Sequence, residues 1–224
     1  MGSIASFHIR DVIDPGDALG EILFGLIMAL TFTVGSRLLF SETGLDVHEL
    51  IVATVGCNVA WGIIDAVLFT LGTVFYKSRR VRVLRQVRTA RSDDVALSAL
   101  MKEFPISGEP LVTATADTDA LYRSMLVLAR RAEPGNLSLS KEDALAAVIV
   151  FLLVTATALP AIIPFLLIDN ADLALRTSNF LLIGLLFLTG FGWARFSDSK
   201  PLRAGITMTC LGLALVGIAV ALGG

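Results

Sequence analysis

The sequence predicts an all-α membrane protein with five transmembrane helices, and two observations lead to this fold class. First, 55% of the 224 residues are hydrophobic and only 17% are charged, whereas soluble domains average roughly 45–50% and 25%. Second, residues 144–168 and 204–224 contain no charged residue, and about 18 consecutive apolar residues suffice to cross a bilayer. We therefore predict an integral membrane protein whose apolar segments contact lipid.

Five apolar segments define the predicted spans. The second is interrupted only by Asp65, and the third contains Pro160 and Pro164. The fourth is the weakest, because Arg176 and Asn179 shorten its apolar part. The predicted spans cover residues 18–40, 50–76, 144–168, 174–194 and 202–224.

Lysine and arginine concentrate in two of the four connections between spans, and this bias predicts the orientation. Residues 77–91, directly after the second span, hold seven Lys and Arg and no acid, and residues 195–203 hold three against one acid. The other two connections are mainly acidic. We therefore expect both basic connections and the N-terminus to face the cytoplasm, with the C-terminus on the outer side.

This arrangement predicts three parts of the chain. Residues 1–76 hold the N-terminal segment with the first two spans, residues 77–141 form a cytoplasmic helical insert, and residues 142–224 hold the last three spans. The arginine-rich start of the insert is expected to set the topology. A second interpretation of the same segment is an amphipathic helix in contact with anionic headgroups.

Within the insert, capping residues indicate two helices. Ser92 is placed to cap a helix that runs to Glu103. Asp117 or Thr118 is placed to cap a second helix, which is expected to end at Pro134-Gly135. We expect a small helical hairpin that needs further contacts, because about 65 residues bury little apolar surface on their own.

Composition excludes several functional classes. A net charge of −2 gives no reason to expect a nucleic-acid partner. Cys57 and Cys210 lie in apolar runs and His8 and His48 lie in different segments, so neither a disulfide framework nor a zinc site is indicated. We therefore expect no enzymatic activity and no tightly bound cofactor.

Ionisable residues inside the spans are the best candidates for a functional site, because placing a charge in hydrocarbon is costly. Helical spacing puts Asp17, Glu21 and Met28 on one face of the first span, and Asn58 and Asp65 on one face of the second. We predict a transport pathway between these two faces. Carboxylates suit hard divalent cations and a thioether favours transition metals, so Glu21, Met28 and Asp65 are the candidate metal ligands.

Each of these residues also has a purely structural interpretation. Asp65 can hydrogen-bond within the helix bundle, and Asp17 and Glu21 can interact with the dipole of a helix N-terminus. A methionine in an apolar helix, such as Met28, usually fills space. The two prolines of the third span free backbone carbonyls that either find partners or line a cavity.

The order of two spans, a cytoplasmic insert and three further spans resembles the vacuolar iron transporter (VIT) family, including its bacterial members. The segment ALPAIIPFLL at residues 158–167 is similar to the double-proline third span of that family. The segment WARFSDSKPLRAGITMTCLGLALVGIAVALG at residues 193–223 is similar to its basic turn and glycine-rich last span. The segments DPGDALGEILFGLIMALTFT and GCNVAWGIIDAVLFTLG occupy the places of its two pore helices and diverge from them.

This resemblance implies a homodimer in a bacterial inner membrane, in which spans one and two of both copies line a shared pathway. It implies export of Fe²⁺ or a related divalent metal from the cytoplasm in exchange for protons. The residues available as pore ligands are Glu21, Met28 and Asp65.

Two departures from the family motivate an alternative. Gly72-Thr73-Val74 stands where the family has a Gly-Glu-Tyr-like stretch, and the insert has no Glu-x-x-Glu repeat. The alternative is a membrane scaffold or sensor that does not transport and keeps the transporter fold without its metal ligands.

Overall fold

The computed structural model describes residues 13–39, 46–105, 115–132 and 138–223. All regular secondary structure in these ranges is α-helical, and five of these helices or helix pairs are long and apolar enough to cross a membrane. The predicted all-α fold with five transmembrane spans is therefore confirmed. The helices are α1 (Pro15–Leu39), α2 (Val47–Thr89), α3 (Asp93–Glu103), α4 (Thr115–Arg131), α5 (Lys141–Ala156), α6 (Ala158–Leu167), α7 (Ala171–Trp193) and α8 (Pro201–Ala221).

The chain divides into two compact units. The membrane unit comprises Met1–Thr70 and Lys141–Gly224, and therefore holds α1, the first part of α2, and α5 to α8. The insert unit comprises Leu71–Ser140, with the remainder of α2, α3 and α4.

Helix α1 begins at Pro15, and the residues at its start account for two backbone positions that would otherwise leave an N–H group unpaired. Asp14 Oδ1 accepts a hydrogen bond from the Gly16 backbone nitrogen at 2.7 Å, and proline lacks the N–H that the first position of a helix leaves unpaired. Further along, the hydroxyls of Thr31 and Thr33 donate to backbone carbonyls three or four residues earlier. These bonds offset the free-energy cost of burying hydroxyl groups in an apolar span.

Helix α2 is longer than its predicted span, which ends at residue 76. It continues without a break for 43 residues, about 64 Å at the rise of an α-helix. Asp46 Oδ1 caps its start by accepting hydrogen bonds from the backbone nitrogens of His48 and Glu49. The arginine-rich residues 77–89 extend this helix, because neither proline nor glycine interrupts them.

The third span is divided near its prolines, as the sequence predicts. Helix α5 ends at Ala156 and α6 starts at Ala158, with Thr157 between them. Pro160 has no N–H to donate to the carbonyl of Ala156, four residues earlier, and its ring crowds that carbonyl. The division therefore falls one turn before the first proline.

The core of the membrane unit lies where α1, α6, α7 and α8 meet. Its buried residues are aliphatic, namely Leu26, Ala29, Leu30, Ala161, Leu182, Leu186 and Val216. Helices α7 and α8 approach closely at Gly190, where an added Cβ would lie 2.6 Å from the backbone oxygen of Ala204. Close approach through small residues is typical of helix packing in membranes.

The core of the insert unit is formed by the C-terminal part of α2 together with α3 and α4. Its buried residues are Val83, Val87, Ala96, Leu100, Tyr122, Leu126 and Ala129. The Tyr122 hydroxyl donates a hydrogen bond to the backbone oxygen of Phe104 at 2.6 Å. Val83 and Val87 lie one helical turn apart, so the arginine-rich extension of α2 supplies one wall of this core.

Both predicted helices of the insert are present. Ser92 Oγ accepts a hydrogen bond from the Val95 backbone nitrogen at 3.4 Å and caps α3, which ends at Glu103 as predicted. Helix α4 begins at Thr115, earlier than the predicted start. The predicted stop at Pro134-Gly135 lies outside the described residues.

Candidate functional site

An acidic cleft lies in the membrane unit, bounded by α1 and α2. Its volume is about 710 Å³, which is within the range of about 300–1,000 Å³ that is typical of ligand pockets. Three of its lining residues are carboxylates, Asp17, Glu21 and Asp65. The other lining residues are glycine or apolar, namely Ile13, Gly16, Gly20, Phe24, Leu68, Phe69, Val150 and Trp193.

Helix α1 supplies two of the carboxylates and much of the open space. Asp17, Glu21 and Phe24 are four and three residues apart, so they project from one face of the helix. Gly16 and Gly20 line the same cleft, and a Cβ added at Gly20 would meet no atom within 4 Å. Glycine at these positions therefore leaves room beside the carboxylates.

Helix α2 supplies the third carboxylate. Asp65 lines the cleft together with Leu68 and Phe69. Its Oδ2 atom is buried and accepts no hydrogen bond from the residues that the structure describes. An unsatisfied carboxylate oxygen away from water is costly, and a bound cation or proton would reduce that cost.

The three carboxylates form one electrostatic group. The charges of both Asp65 and Asp17 act on Glu21. Ionised carboxylates only accept hydrogen bonds, so they cannot neutralise one another. A cation or a proton bound among them lowers the free energy of the cleft.

An aromatic pair lies beside the carboxylates. The rings of Phe24 and Trp61 meet edge to face, with centroids 5.6 Å apart and planes at 80°. Phe24 lines the cleft, and Trp61 lies one helical turn before Asp65. Through Phe24 the pair therefore adjoins the acidic cleft.

Comparison with known families identifies the architecture. The VIT family model matches residues 73–224, more than half of the chain. The chain belongs to the VIT family. No curated protein gives a significant match. Membership in this family points to a membrane transporter of metal ions, so the resemblance in the sequence is confirmed.

The match covers only part of this VIT protein. It begins within α2 and extends through the insert and the last three spans. Asp17, Glu21 and Asp65 all precede it, so the family assignment does not depend on the cleft. The case for these three residues rests on their geometry.

Asn58 lies at a helix junction and does not line the cleft. The residue is fully buried, and its Nδ2 donates to the Val154 backbone oxygen at 3.2 Å, to Thr157 Oγ1 at 2.9 Å and to the Gly25 backbone oxygen at 3.3 Å. The amide thereby joins α2 to α1 and to the division of the third span. The geometry gives Asn58 a bridging role in this VIT protein.

Met28 is also outside the cleft. It is half-buried and lies one helical turn beyond Phe24, so Phe24 lies between Met28 and Glu21 along α1. Within the described residues, no group of three or more His, Cys, Asp or Glu is arranged to hold a metal ion. Asp17, Glu21 and Asp65 therefore line one cleft without being arranged as a ready-made set of three metal ligands, and Met28 and Asn58 lie outside it.

Two residues that line the cleft were not among the residues predicted from the sequence. Val150 of α5 and Trp193 of α7 line it, although neither carries a chemical group that marks a site. Thr157, the hydroxyl partner of Asn58, was missed in the same way. The only signal for Thr157 was its place just before Pro160, where a broken helix needs new hydrogen-bond partners.

Proposed function

We propose that this VIT protein exports Fe²⁺ or a related divalent metal from the cytoplasm in exchange for protons. The observation that carries the proposal is the acidic cleft, where three carboxylates from two membrane helices share one space of about 710 Å³. Carboxylate oxygens are preferred ligands of hard divalent cations, and such cations bind with waters retained. A cleft of this size accommodates a partly hydrated ion.

The residues take different roles along the pathway. Asp17 and Glu21 receive the ion near the start of α1, and Asp65 binds the ion or a proton. Met28, one turn past Phe24, contributes a thioether that favours a transition metal over Mg²⁺ or Ca²⁺. Phe24 lies between these two stations along α1 and pairs with Trp61, so the proposed pathway runs past these two rings.

The direction of transport follows from the predicted orientation. Basic connections face the cytoplasm by the positive-inside rule, which puts the first turns of α1, and with them Asp17 and Glu21, at the cytoplasmic end. In this arrangement the chain is organised as residues 1–76, a cytoplasmic insert at 77–141 and residues 142–224. A bacterial inner membrane is the expected location.

A homodimer through spans one and two completes the pathway. The cleft is not enclosed, and carboxylates facing hydrocarbon are unfavourable. A second copy of the chain, packed through α1 and α2, covers this opening and doubles the number of carboxylates. Cysteine crosslinking between two copies at Ile64, an exposed residue on α2, tests this arrangement.

Transport by the full-length protein in proteoliposomes tests the function. Vesicles loaded with a metal-sensitive dye report entry of Fe²⁺ under anaerobic conditions. We expect Asp65→Asn and Glu21→Gln each to reduce uptake about tenfold or more, because a loss of about 1.4 kcal/mol in binding already gives that factor. Asp169→Asn, an exposed carboxylate outside the cleft, serves as the matched control. Uptake that is unchanged in both cleft variants would contradict the proposal.

Proton exchange needs a separate measurement. With a pH-sensitive dye inside the vesicles, inward movement of Fe²⁺ is expected to drive protons outward and raise the internal pH. Asp65→Asn is expected to lose this pH change together with metal uptake. Metal uptake without any pH change would overturn the coupling to protons while leaving metal transport in place.

The alternative function is a scaffold or sensor without transport. It is favoured by Gly72-Thr73-Val74, which stands where an acid is expected. Binding of Fe²⁺ by the detergent-solubilised protein, measured by calorimetry, separates the two candidates in combination with the uptake assay. Saturable binding with uptake supports the transporter, and saturable binding without uptake supports a sensor. The absence of both binding and uptake supports a scaffold.

A further inference from the structure

A basic groove runs between the C-terminal part of α2 and α3 in the insert unit. Its volume is about 480 Å³. Its polar lining residues are Ser78, Arg79, Arg82 and Gln86 of α2 and Lys102 and Glu103 of α3. Its apolar lining residues are Val83, Ala99 and Phe75. None of these residues belongs to the acidic cleft.

The groove keeps an excess of positive charge after its internal pairing. Arg79 Nε donates a hydrogen bond to Glu103 at 2.8 Å, and the Glu103 side chain is only 14% exposed. This bond holds the guanidinium in place and leaves its remaining N–H groups for a ligand. Arg82 and Lys102 have no ion-pair partner among the described residues. Two cations therefore face the groove uncompensated.

The groove also has an apolar continuation on the same helix. Phe75 and Leu71 lie one and two turns before Arg79, and their side chains are 62% and 59% exposed. Along an α-helix one turn is about 5.4 Å, so basic and apolar surface are continuous over the length of a lipid headgroup and glycerol. A soluble anion would use only the basic part of this surface.

We propose that this groove binds an anionic phospholipid, with the phosphate held by Arg79, Arg82 and Lys102 and the acyl chains lying along Phe75 and Leu71. Arginine pairs with phosphate through two parallel N–H donors. Ser78 and Gln86 add neutral donors to the same groove. A cluster of basic residues directly after a membrane span is a general feature of proteins that bind anionic lipids. The α3 residues Lys102 and Glu103 convert such a cluster into a shaped site.

Native mass spectrometry of the full-length protein in detergent tests this assignment. The protein is titrated with dioleoyl phosphatidylglycerol and, separately, with dioleoyl phosphatidylcholine. We expect tighter binding of phosphatidylglycerol, and a loss of about tenfold or more for the double variant Arg82→Gln/Lys102→Gln, since each basic group near the surface contributes substantially. The matched control, Arg85→Gln/Arg88→Gln, removes two exposed arginines of α2 that do not line the groove. Its binding is expected to stay within about twofold of the wild type.

Three results would overturn the proposal. Equal losses of lipid affinity in both double variants would mean that the overall positive charge attracts the lipid and that no shaped site is involved. No loss in either would mean that the groove is not used. Displacement of the lipid by millimolar inorganic phosphate would assign the groove to a soluble phosphate-bearing anion. Phe75→Ala keeps every charge and is expected to weaken lipid binding, so it supports or contradicts the lipid assignment even if the double variant loses its fold.

Discussion

In the membrane unit most of the buried polar side chains that the structure describes bond to backbone carbonyls, whereas in the insert unit charged side chains pair with one another at the surface. Thr33 and Ser178 donate to backbone oxygens inside the membrane unit, and Asn58 donates to two backbone oxygens and a hydroxyl. In the insert, Arg130 pairs with Asp93 on the surface. Without water, the helix backbone is the main partner that a buried polar group can find.

Within the described part of the chain, Asp65 shares the lack of a partner with side-chain oxygens of Thr54, Thr155, Asn58 and Asn179, but its group is the one in that set that carries a charge when ionised. A carboxylate has no hydrogen to donate to a carbonyl when ionised, so the backbone partners that satisfy threonine, serine and asparagine cannot satisfy it. Its unpartnered Oδ2 is therefore the group in the cleft most in need of a cation or a proton. The insert holds eleven Lys and Arg against seven Asp and Glu in residues 71–140, which gives its groove the opposite preference, for an anion.

The largest expected effect tests whether the insert unit depends on its own core. Leu100 is 2% exposed in that core, and Leu100→Ala is expected to cost about 2–5 kcal/mol. Because a unit of this size has a stability of only about 3–5 kcal/mol from its core, the insert is expected to unfold locally. Limited proteolysis of the full-length protein should then cut within residues 71–140. Leu128→Ala, at a position that is 67% exposed, is the control, and equal protection of both variants would contradict an independent core.

An intermediate effect tests the close packing of the membrane unit. A Cβ at Gly25 would lie 2.2 Å from Thr157 Oγ1 and 3.0 Å from the Val154 backbone oxygen, so Gly25→Ala is expected to cost about 1–3 kcal/mol through overpacking. At Gly56 an added Cβ meets no atom within 4 Å, and Gly56→Ala is expected to be neutral or slightly stabilising. Thermal unfolding in detergent measures both. Similar melting temperatures would mean that α1 and the third span are not in contact at Gly25.

The smallest expected effect concerns the polar bridge at the helix junction. Asn58→Leu removes an amide nitrogen that lies within hydrogen-bond distance of three acceptors and has two hydrogens to donate. Hydrogen bonds between membrane helices contribute about 0.6 kcal/mol on average and at most about 1.7. A drop in thermal stability of that size is expected. The Oδ1 atoms of Asn58 and Asn179 both accept no hydrogen bond from the described residues. Asn179 still provides a contrast, because Asn58 Nδ2 donates to neighbouring helices and no such bond is formed by Asn179 within the described residues, so Asn179→Leu should leave the melting temperature unchanged or raise it. A larger loss of thermal stability for Asn179→Leu than for Asn58→Leu would contradict the bridging role of Asn58.

Local features of the chain predicted much of this fold. The five spans follow from long apolar runs, the start of α3 follows from the Ser92 cap, and the division of the third span follows from Pro160. Helix α2 was predicted less well, because its continuation past residue 76 is stabilised by Val83 and Val87 packing against α3 and α4. Hydrophobic patterns and capping preferences report on residues that are close in sequence. They carry no information about packing against other helices.

The candidate site likewise has a part that the sequence predicts and a part that depends on helix packing. By itself, the sequence determined that a few carboxylates lie in a bundle of five apolar spans, and helical spacing placed Asp17 and Glu21 on one face, because helix geometry relates neighbours of known separation. Only the tertiary structure decided that Asp65 joins them across α1 and α2 while Met28 and Asn58 do not. Whether side chains of different helices meet depends on helix rotation and on close approaches such as that at Gly25. Those are set by the packing of the whole bundle.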